Sequence, residues 1–408
     1  MVRIDADRLL GDLATLRTFG ASGNGVVRPM FSDIDMAARR WLVERCTQAG
    51  LDAAIDGVGT VYGRSRRPGP AVVLGSHSDT QPEGGWLDGA MGVIHALEVA
   101  RALAEDSETA DLAVDVASWA DEEGTYSSFL GARSFVGEDS PADLDHVGPA
   151  GETVGVALVR CGLEDRPRVR FDPNRHVAYL ESHIEQGPRL DENGLKIGAV
   201  TAIVGIRALR VTFSGEQNHA GTTPMHRRKD AAAAMFDFGS ELNRRMPTAA
   251  GDDSVWTMGQ VSVLPGAQSI VPGHAEVMVQ MRDTDPGVLD AMGAMVRAAA
   301  ADVDSLDGVR VTVDDTDVDV APAPMDPAIV DLVADAAESV TPGQWIRIPS
   351  AAGHDAGVLA NHLPSAMVFV PSLRGISHDF AEDTDLDDIV LGAQVLAEAT
   401  VLAHRAVM

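Results

Sequence analysis

Cysteine is nearly missing from this chain: Cys46 and Cys161 are its two, among 408 residues. One falls in a helix-like stretch and the other in a loop-like one, which excludes a disulfide framework or a thiolate metal site. Basic residues are also scarce, with 32 Lys plus Arg against 61 Asp plus Glu and a net charge of −29. Broad attraction to phosphate backbones or anionic lipid is therefore not expected, and neither nucleic acid nor a membrane is expected as a partner. No apolar run approaches the ~18 residues of a spanning helix. The start, MVRIDADRLLGDLATLRTFG, lacks a cationic segment followed by an apolar stretch and a cleavage site, so the expected location is cytoplasmic. What the chain does have is 45% hydrophobic residues, enough for a sizeable core. Its length suits two or three domains of roughly 150 residues each. Any bound metal must be held by histidine and carboxylate.

Residues 71–77 (AVVLGSH) and 113–119 (AVDVASW) are short apolar runs on either side of the helix-like MGVIHALEVARALAED. They read as strand, helix, strand. Further runs end at Leu180 and in SAMVFVPS (365–372), and each leads into a loop rich in His, Gly and Ser. The middle of the chain changes character: ALRVTFSGEQ, DAAAAMFDFGSELNRRM, SVWTMGQVSV, HAEVMVQMR, PGVLDAMGAMVRAAAADVD and VRVTV follow in the order βαββαβ. That is the split pattern of a ferredoxin-like sandwich. The acidic stretch DDTDVDVAPAPMDP (314–327) reads as a return linker. The expected architecture is α/β: a discontinuous domain, residues 1–205 and 317–408, with a central sheet flanked by helices, interrupted by an inserted α+β domain at 206–316.

The chemically suggestive residues gather where the predicted strands end, the place where open α/β sheets bind ligands. His77 is followed two positions later by Asp79, whose carboxylate is positioned to orient the imidazole. Asp88 follows eleven residues after His77, in Gly-Gly-Trp-Leu-Asp-Gly-Ala-Met-Gly, where it either caps a helix or serves as a ligand. Asp121, Glu122 and Glu123 crowd the end of the 113–119 run. Their mutual repulsion is relieved by a cation, and adjacent glutamates allow one to bind metal while the other acts as general base. His183 and His378 lie just beyond two other runs. Three histidines and two carboxylates suit zinc, manganese, cobalt or nickel better than magnesium or calcium, and five ligands suit two ions that share a carboxylate.

With these motifs in view, the sequence resembles the hydantoinase/carbamoylase family of amidohydrolases, within the larger group of dinuclear zinc exopeptidases and aminoacylases. That family includes N-carbamoyl-L-amino-acid hydrolases, allantoate amidohydrolases and β-ureidopropionases. The resemblance runs from Gly25-Val26-Val27-Arg28-Pro29 to about Thr384. It implies two divalent metal ions, one on His77 and His183 and the other on Glu123 and His378, bridged by Asp88. Glu122 is then the general base, Asp79 stands behind the ligands, and the Asp88–Gly89 peptide is expected to be cis. The string Gly215-Glu216-Gln217-Asn218-His219-Ala220-Gly221 implies that the inserted domain is a lid and dimerisation module. In that arrangement His219 stabilises the oxyanion in the site of a second subunit. Arg282 matches the arginine that pairs with the substrate carboxylate, and Gln186 and His354 match further substrate contacts.

Departures from the family pattern fall on the substrate side. Ser269, in Gly-Ala-Gln-Ser-Ile-Val-Pro, stands where the family has an asparagine beside that arginine. Thr125-Tyr126 replaces Arg-Phe in a loop about two residues shorter, and Trp86-Leu87 replaces a common tyrosine. The implied activity is hydrolysis of a linear C–N amide, foremost that of an N-carbamoyl amino acid to amino acid, carbon dioxide and ammonia. The alternatives are an aminoacylase or dipeptidase of the same group, or a non-catalytic binding protein on this scaffold.

Overall fold

The computed structural model describes residues 2–149, 151–304 and 308–406. The chain forms two compact units, Met1–Ala202 with Pro324–Met408, and Ile203–Ala323.

Four strands at the centre of the larger unit, Ser365–Val370, His176–Ile184, Ala71–His77 and Ala113–Trp119, lie side by side and parallel. Every residue of Ala71–His77 and of Ala113–Trp119 is buried. Both faces of these strands are covered, which is why they read as unbroken apolar runs without alternation. Antiparallel strands flank them, Val61–Arg64 and then Asp52–Ile55 on one side and Ile197–Ile203 on the other. Helices Ala6–Thr18, Ala90–Glu105, Pro327–Val340 and Leu386–Ala406 pack on one another and on the sheet. Ala90–Glu105 is buried from Ala90 through Leu103. It approaches the neighbouring strand so closely that a Cβ at Gly92 would stand 2.1 Å from Ser182 O, and only glycine fits there.

The smaller unit is a four-stranded antiparallel sheet in the order Val255–Leu264, His274–Asp283, Gly205–Ser214, Arg310–Val320. Helices Ala231–Arg245 and Pro286–Asp304 cover one face. Burial alternates strictly along His274–Asp283, and Ala275, Val277, Val279 and Met281 point into a core with Phe213, Phe238, Leu242 and Val296. This is the βαββαβ sandwich that the sequence pattern anticipates.

Two readings need correction. The acidic stretch from Asp314 to Val320 is not linker but the second half of the edge strand Arg310–Val320. An edge strand exposes one side to water, so it accommodates these aspartates, and a register shift between Asp315 and Asp319 absorbs the irregularity. Cys161 is not in a loop but closes the helix Val154–Cys161, which Gly162 terminates in the left-handed region. Among the described residues no helix is long and apolar enough to cross a membrane.

Candidate metal centre

The four parallel strands deliver their carboxyl ends to one edge of the sheet, and the site is built there. His77 is the last residue of its strand, and Glu122 and Glu123 follow closely after Trp119. His183 lies within its strand, which continues past Leu180 to Ile184. His378 sits in the loop that follows Val370.

Two donor triplets form, His77–Asp88–His183 and Asp88–Glu123–His378, each with its ligand atoms within 4.8 Å of one another. Asp88 serves both. Its Oδ1 lies 3.1 Å from His183 Nε2 and 3.7 Å from His77 Nε2, while Oδ2 lies 3.2 Å from His378 Nε2. His378 Nε2 is 3.8 Å from Glu123 Oε2. Atoms that each sit ~2.1 Å from a common ion are separated by such distances.

The donors are also correctly presented. His77 Nδ1 contacts the backbone O of Asp79 at 3.0 Å, and His183 Nδ1 contacts Ile184 O at 2.9 Å. These contacts put the ring proton on Nδ1 and leave the Nε2 lone pair facing Asp88. His183 Nε2 accordingly accepts the Gly89 N–H at 3.1 Å. His77, Asp88 and His183 are buried, so their donor atoms lack water as well. This donor set fits a pair of divalent ions.

Electrostatics reflect the crowding. Burial opposes ionisation of Asp88, but the adjoining imidazoles of His183, His378 and His77 outweigh it and hold the carboxyl well below its usual range. Burial raises Glu122 well above the ordinary value and Glu123 to about 7, the nearby Asp88 charge adding to the latter. Glu122 Oε2 stands 3.6 Å from His77 Nε2, beside the ligands. His378 is half exposed, so the site opens to solvent on that side.

The expected cis Asp88–Gly89 peptide is not found; Leu264–Pro265 is the cis bond among the described residues. Gly89 turns the chain instead, with φ 62° and ψ −46° and a 2.6 Å hydrogen bond from Ala90 N–H to Asp88 O. This γ-turn suits glycine and aims Asp88 without cis geometry. Asp88 does not cap the helix: Ala90–Glu105 starts from Gly89 with no side-chain cap. Asp79 supports His77 through its backbone oxygen rather than its carboxylate. That carboxylate meets Arg39 Nη2 at 3.3 Å and accepts the Glu123 N–H at 3.3 Å.

Gln186 reaches the centre, its Nε2 donating to Asp88 Oδ2 at 3.2 Å and lying 3.3 Å from His378 Nε2. Gln186 and His378 both hold positive φ, 57° and 54°, a conformation that non-glycine residues seldom adopt outside functional loops. His354 is buried with its ring centroid 4.4 Å from that of His183, and Ser350 Oγ is 2.9 Å from its Nε2. Burial, with the neighbouring His183, pushes its pKa well down, so the ring is neutral.

The remaining expected residues lie in the smaller unit. His219 is exposed on the short strand Asn218–His219, paired with Ile270–Val271. Its Nδ1 accepts N–H groups of Gly221 and Thr222 at 3.0 and 3.2 Å. With Nδ1 accepting, the ring's N–H is on Nε2, a donor free to face a substrate. Ser269 is next to it: its backbone O accepts the Ala220 N–H at 2.9 Å, and its side chain is exposed. Arg282 is not with them. It is the ninth residue of His274–Asp283, whose first residue adjoins the His219 end, so about 26 Å of strand separates the two ends.

Three supporting residues escape sequence reasoning. Arg39 is fully buried, pairs with Asp35 at 2.9 Å and also bonds Gly59 O and Trp119 O. Together with its contact to Asp79, it clamps both acidic loops. Gln81 Nε2 donates to Glu123 Oε2 at 2.7 Å. Glu382 accepts the N–H groups of Leu87 and Asp88. Only Glu382 carries a sequence signal, four residues after His378.

The profile of peptidase family M20/M25/M40 matches residues 73–401. The chain is 35% identical over 405 residues to an N-carbamoyl-L-amino-acid amidohydrolase of Paenarthrobacter aurescens, with 97% of each chain covered. It is 34% identical over 398 residues to an allantoate amidohydrolase of Escherichia coli strain K12, covering 94% of this chain and 95% of that one. In structure it is similar to a hydantoinase/carbamoylase-family amidase from Burkholderia phymatum, with a TM-score of 0.95, 50% identity and full coverage of both chains.

Proposed function

The chain belongs to peptidase family M20/M25/M40, and from that premise we propose that it hydrolyses a linear C–N amide bond of an N-carbamoyl amino acid. The observation that carries this reading is the pair of donor triplets sharing Asp88, with the Glu122 carboxylate beside them. The ureido substrates in the names of its relatives support the substrate class. His77, His183, Asp88, Glu123 and His378 would hold two divalent ions, zinc, manganese, cobalt or nickel. Such ions polarise a carbonyl, acidify water and hold neighbouring carboxyls in the ionised form.

Glu122, shielded from bulk water, takes a proton from the attacking water and returns it to the leaving nitrogen. His219 donates from Nε2 to the oxygen that gains charge. Arg282 pairs with the substrate carboxylate, and Gln186 and His354 line the pocket. Ser269, shorter than an amide side chain, offers only a hydroxyl to the substrate. Cleavage of the ureido bond releases the amino acid and carbamic acid, which breaks down to carbon dioxide and ammonia.

The smaller unit supports a homodimer. One copy carries His219 and Ser269 at one end of its sheet and Arg282 at the other, so a site that needs all three draws them from two subunits. The edge strand Val255–Leu264 also exposes Val255, Val261 and Leu264, the kind of edge that a second copy covers. The test is a panel of N-carbamoyl amino acids, allantoate, β-ureidopropionate and N-acyl amino acids with metal-loaded protein. Ammonia release from a ureido compound is expected. Cleavage of N-acyl compounds alone favours an aminoacylase or dipeptidase, and no turnover of any of them favours a binding protein.

A further inference from the structure

Two arginines among the described residues are wholly shielded from water, Arg28 and Arg39. Arg39 has carboxylate partners in Asp35 and Asp79, whereas Arg28 has none within salt-bridge distance among the described residues. Its guanidinium is held by carbonyls instead. Nη1 donates to Leu16 O at 3.0 Å and to Phe19 O at 2.8 Å, at the carboxyl end of the helix Ala6–Thr18. Nε donates to Ser78 O at 2.6 Å, just past the strand that ends at His77. The carbonyl end of a helix carries partial negative charge, which offsets part of the cost of burying a cation. Burial lowers the pKa to about 10, opposed by the charges of Asp35 and Asp79, and the group stays protonated at neutral pH.

The backbone of Arg28 grips the same turn. Its N–H donates to Thr80 Oγ1 at 2.8 Å, and its O accepts the Thr80 N–H at 3.1 Å. One residue thus holds Ser78 and Thr80, on either side of Asp79. Asp79 in turn serves two candidate ligands: its O meets His77 Nδ1 at 3.0 Å, and its carboxylate accepts the Glu123 N–H at 3.3 Å. Thr80 leads directly to Gln81, whose side chain donates to Glu123 Oε2 at 2.7 Å. Two residues before Arg28, the Val26 N–H donates to Gly84 O at 3.0 Å, in the segment that runs on to Asp88. An arginine that merely fastened the N-terminal helix would need only the Leu16 and Phe19 contacts. The bonds to Ser78 and Thr80 converge on the turn that aims the ligands, where small displacements matter most.

We propose that Arg28 is a positioning residue of the metal centre, a role that rests on the two-ion site proposed for this chain. It fixes the turn Ser78-Asp79-Thr80, and through Asp79 it sets the His77 ring and the Glu123 backbone, so both ion positions depend on it. Arg28 itself touches neither ion nor substrate. Lysine would retain the charge, but a single ammonium does not reproduce the divergent donors that join the helix end to the turn.

Titration of the full-length protein with Co²⁺ against a chromophoric chelator tests this, with the visible absorption of the bound ion reporting its coordination. Arg28→Met should lower Co²⁺ affinity about tenfold or more, the usual effect of removing a group that orients ligands, and shift the absorption bands. Arg28→Lys should recover only part of the loss. Thr80→Val removes the hydroxyl that accepts the Arg28 N–H but keeps the side chain's shape. It should weaken binding in the same direction, and in the double variant the two losses should fall short of their sum. Arg101→Met supplies the contrast: Arg101 pairs with Asp12 of the same N-terminal helix at 2.6 Å and with Glu98 at 3.7 Å, not with the turn, so Co²⁺ affinity should stay at the wild-type value. Wild-type affinity in Arg28→Met, or in Thr80→Val should the methionine variant fail to fold, overturns the proposal. So does an equal loss in Arg101→Met, which would reduce the effect to anchoring of the helix. A wild-type protein that binds no Co²⁺ overturns the two-ion site itself, and this role with it.

Discussion

Glu382 grips the backbone of Asp88. Its Oε1 accepts the N–H of Asp88 at 3.0 Å and that of Leu87 at 3.1 Å, while Oε2 accepts from Ser377 Oγ at 2.8 Å. The segment carrying the shared carboxylate is thereby tied to the loop carrying His378. Glu382→Ala should lower metal affinity by roughly ten- to a hundredfold, the usual effect of removing a group that orients ligands. Glu382→Gln, which keeps an acceptor oxygen, should lose less. Competition with a chromophoric chelator measures both, and wild-type affinity in the alanine variant would refute the role.

Gly89 gives a sharper geometric prediction. A Cβ added there would lie 2.3 Å from His77 Nε2, and the residue already holds φ 62°. Gly89→Ala must displace the imidazole or unwind the turn that aims Asp88, so both triplets suffer together. The expected outcome is loss of metal at both positions, with most of the far-ultraviolet circular dichroism retained because the change sits on a loop before the helix. Stoichiometric metal uptake by this variant would show that the turn is not required.

The outline of this candidate centre was legible because the residues that would ligate lie at or after the carboxyl ends of buried parallel strands, which announce themselves as continuous apolar runs. Residues 71–77 and 113–119 match the observed strands at both ends. The βαββαβ order was equally visible from the change in periodicity. What stayed hidden depends on contacts distant in sequence. Glu382 meets Leu87 across 295 residues, and Arg39 meets Trp119 across 80. No local pattern marks an arginine in a helix as the clamp on two remote loops. The second half of the edge strand Arg310–Val320 was missed for a different reason: its aspartates lower strand propensity, and pairing with Gly205–Ser214 overrides it.

Metal uptake should depend on pH in a direction set by His378. Its hydrogen bond to Asp88 raises the imidazole to about 9 despite partial burial, so in the metal-free protein the ring is charged at neutral pH. Ligation needs the neutral ring, and the proton must leave. Burial holds Glu123 at about 7, which adds to the protons displaced. Affinity should therefore rise with pH through the neutral range and level off above about 9. Calorimetry in buffers of different ionisation heat should record net proton release as metal binds at neutral pH. An affinity flat across that range would contradict the assignment of His378 as a ligand.

His219 and Glu122 lie in different units of the chain, and the proposed dimer assigns them to one site from two subunits. Glu122→Gln and His219→Ala homodimers should each lose activity by about a hundredfold or more, while keeping their metal, as expected for a general base and an oxyanion donor. Mixing them gives a distinctive result. A mixed dimer has one site that combines wild-type Glu122 with wild-type His219 and one site impaired in both. Random exchange makes about half of the dimers mixed, and half of their sites intact, so about a quarter of wild-type activity should return. Co-purification through a tag on one variant establishes that exchange has occurred. If exchange is complete and activity stays at the level of the separate variants, His219 acts within its own subunit or not at all, and the two-subunit site is wrong.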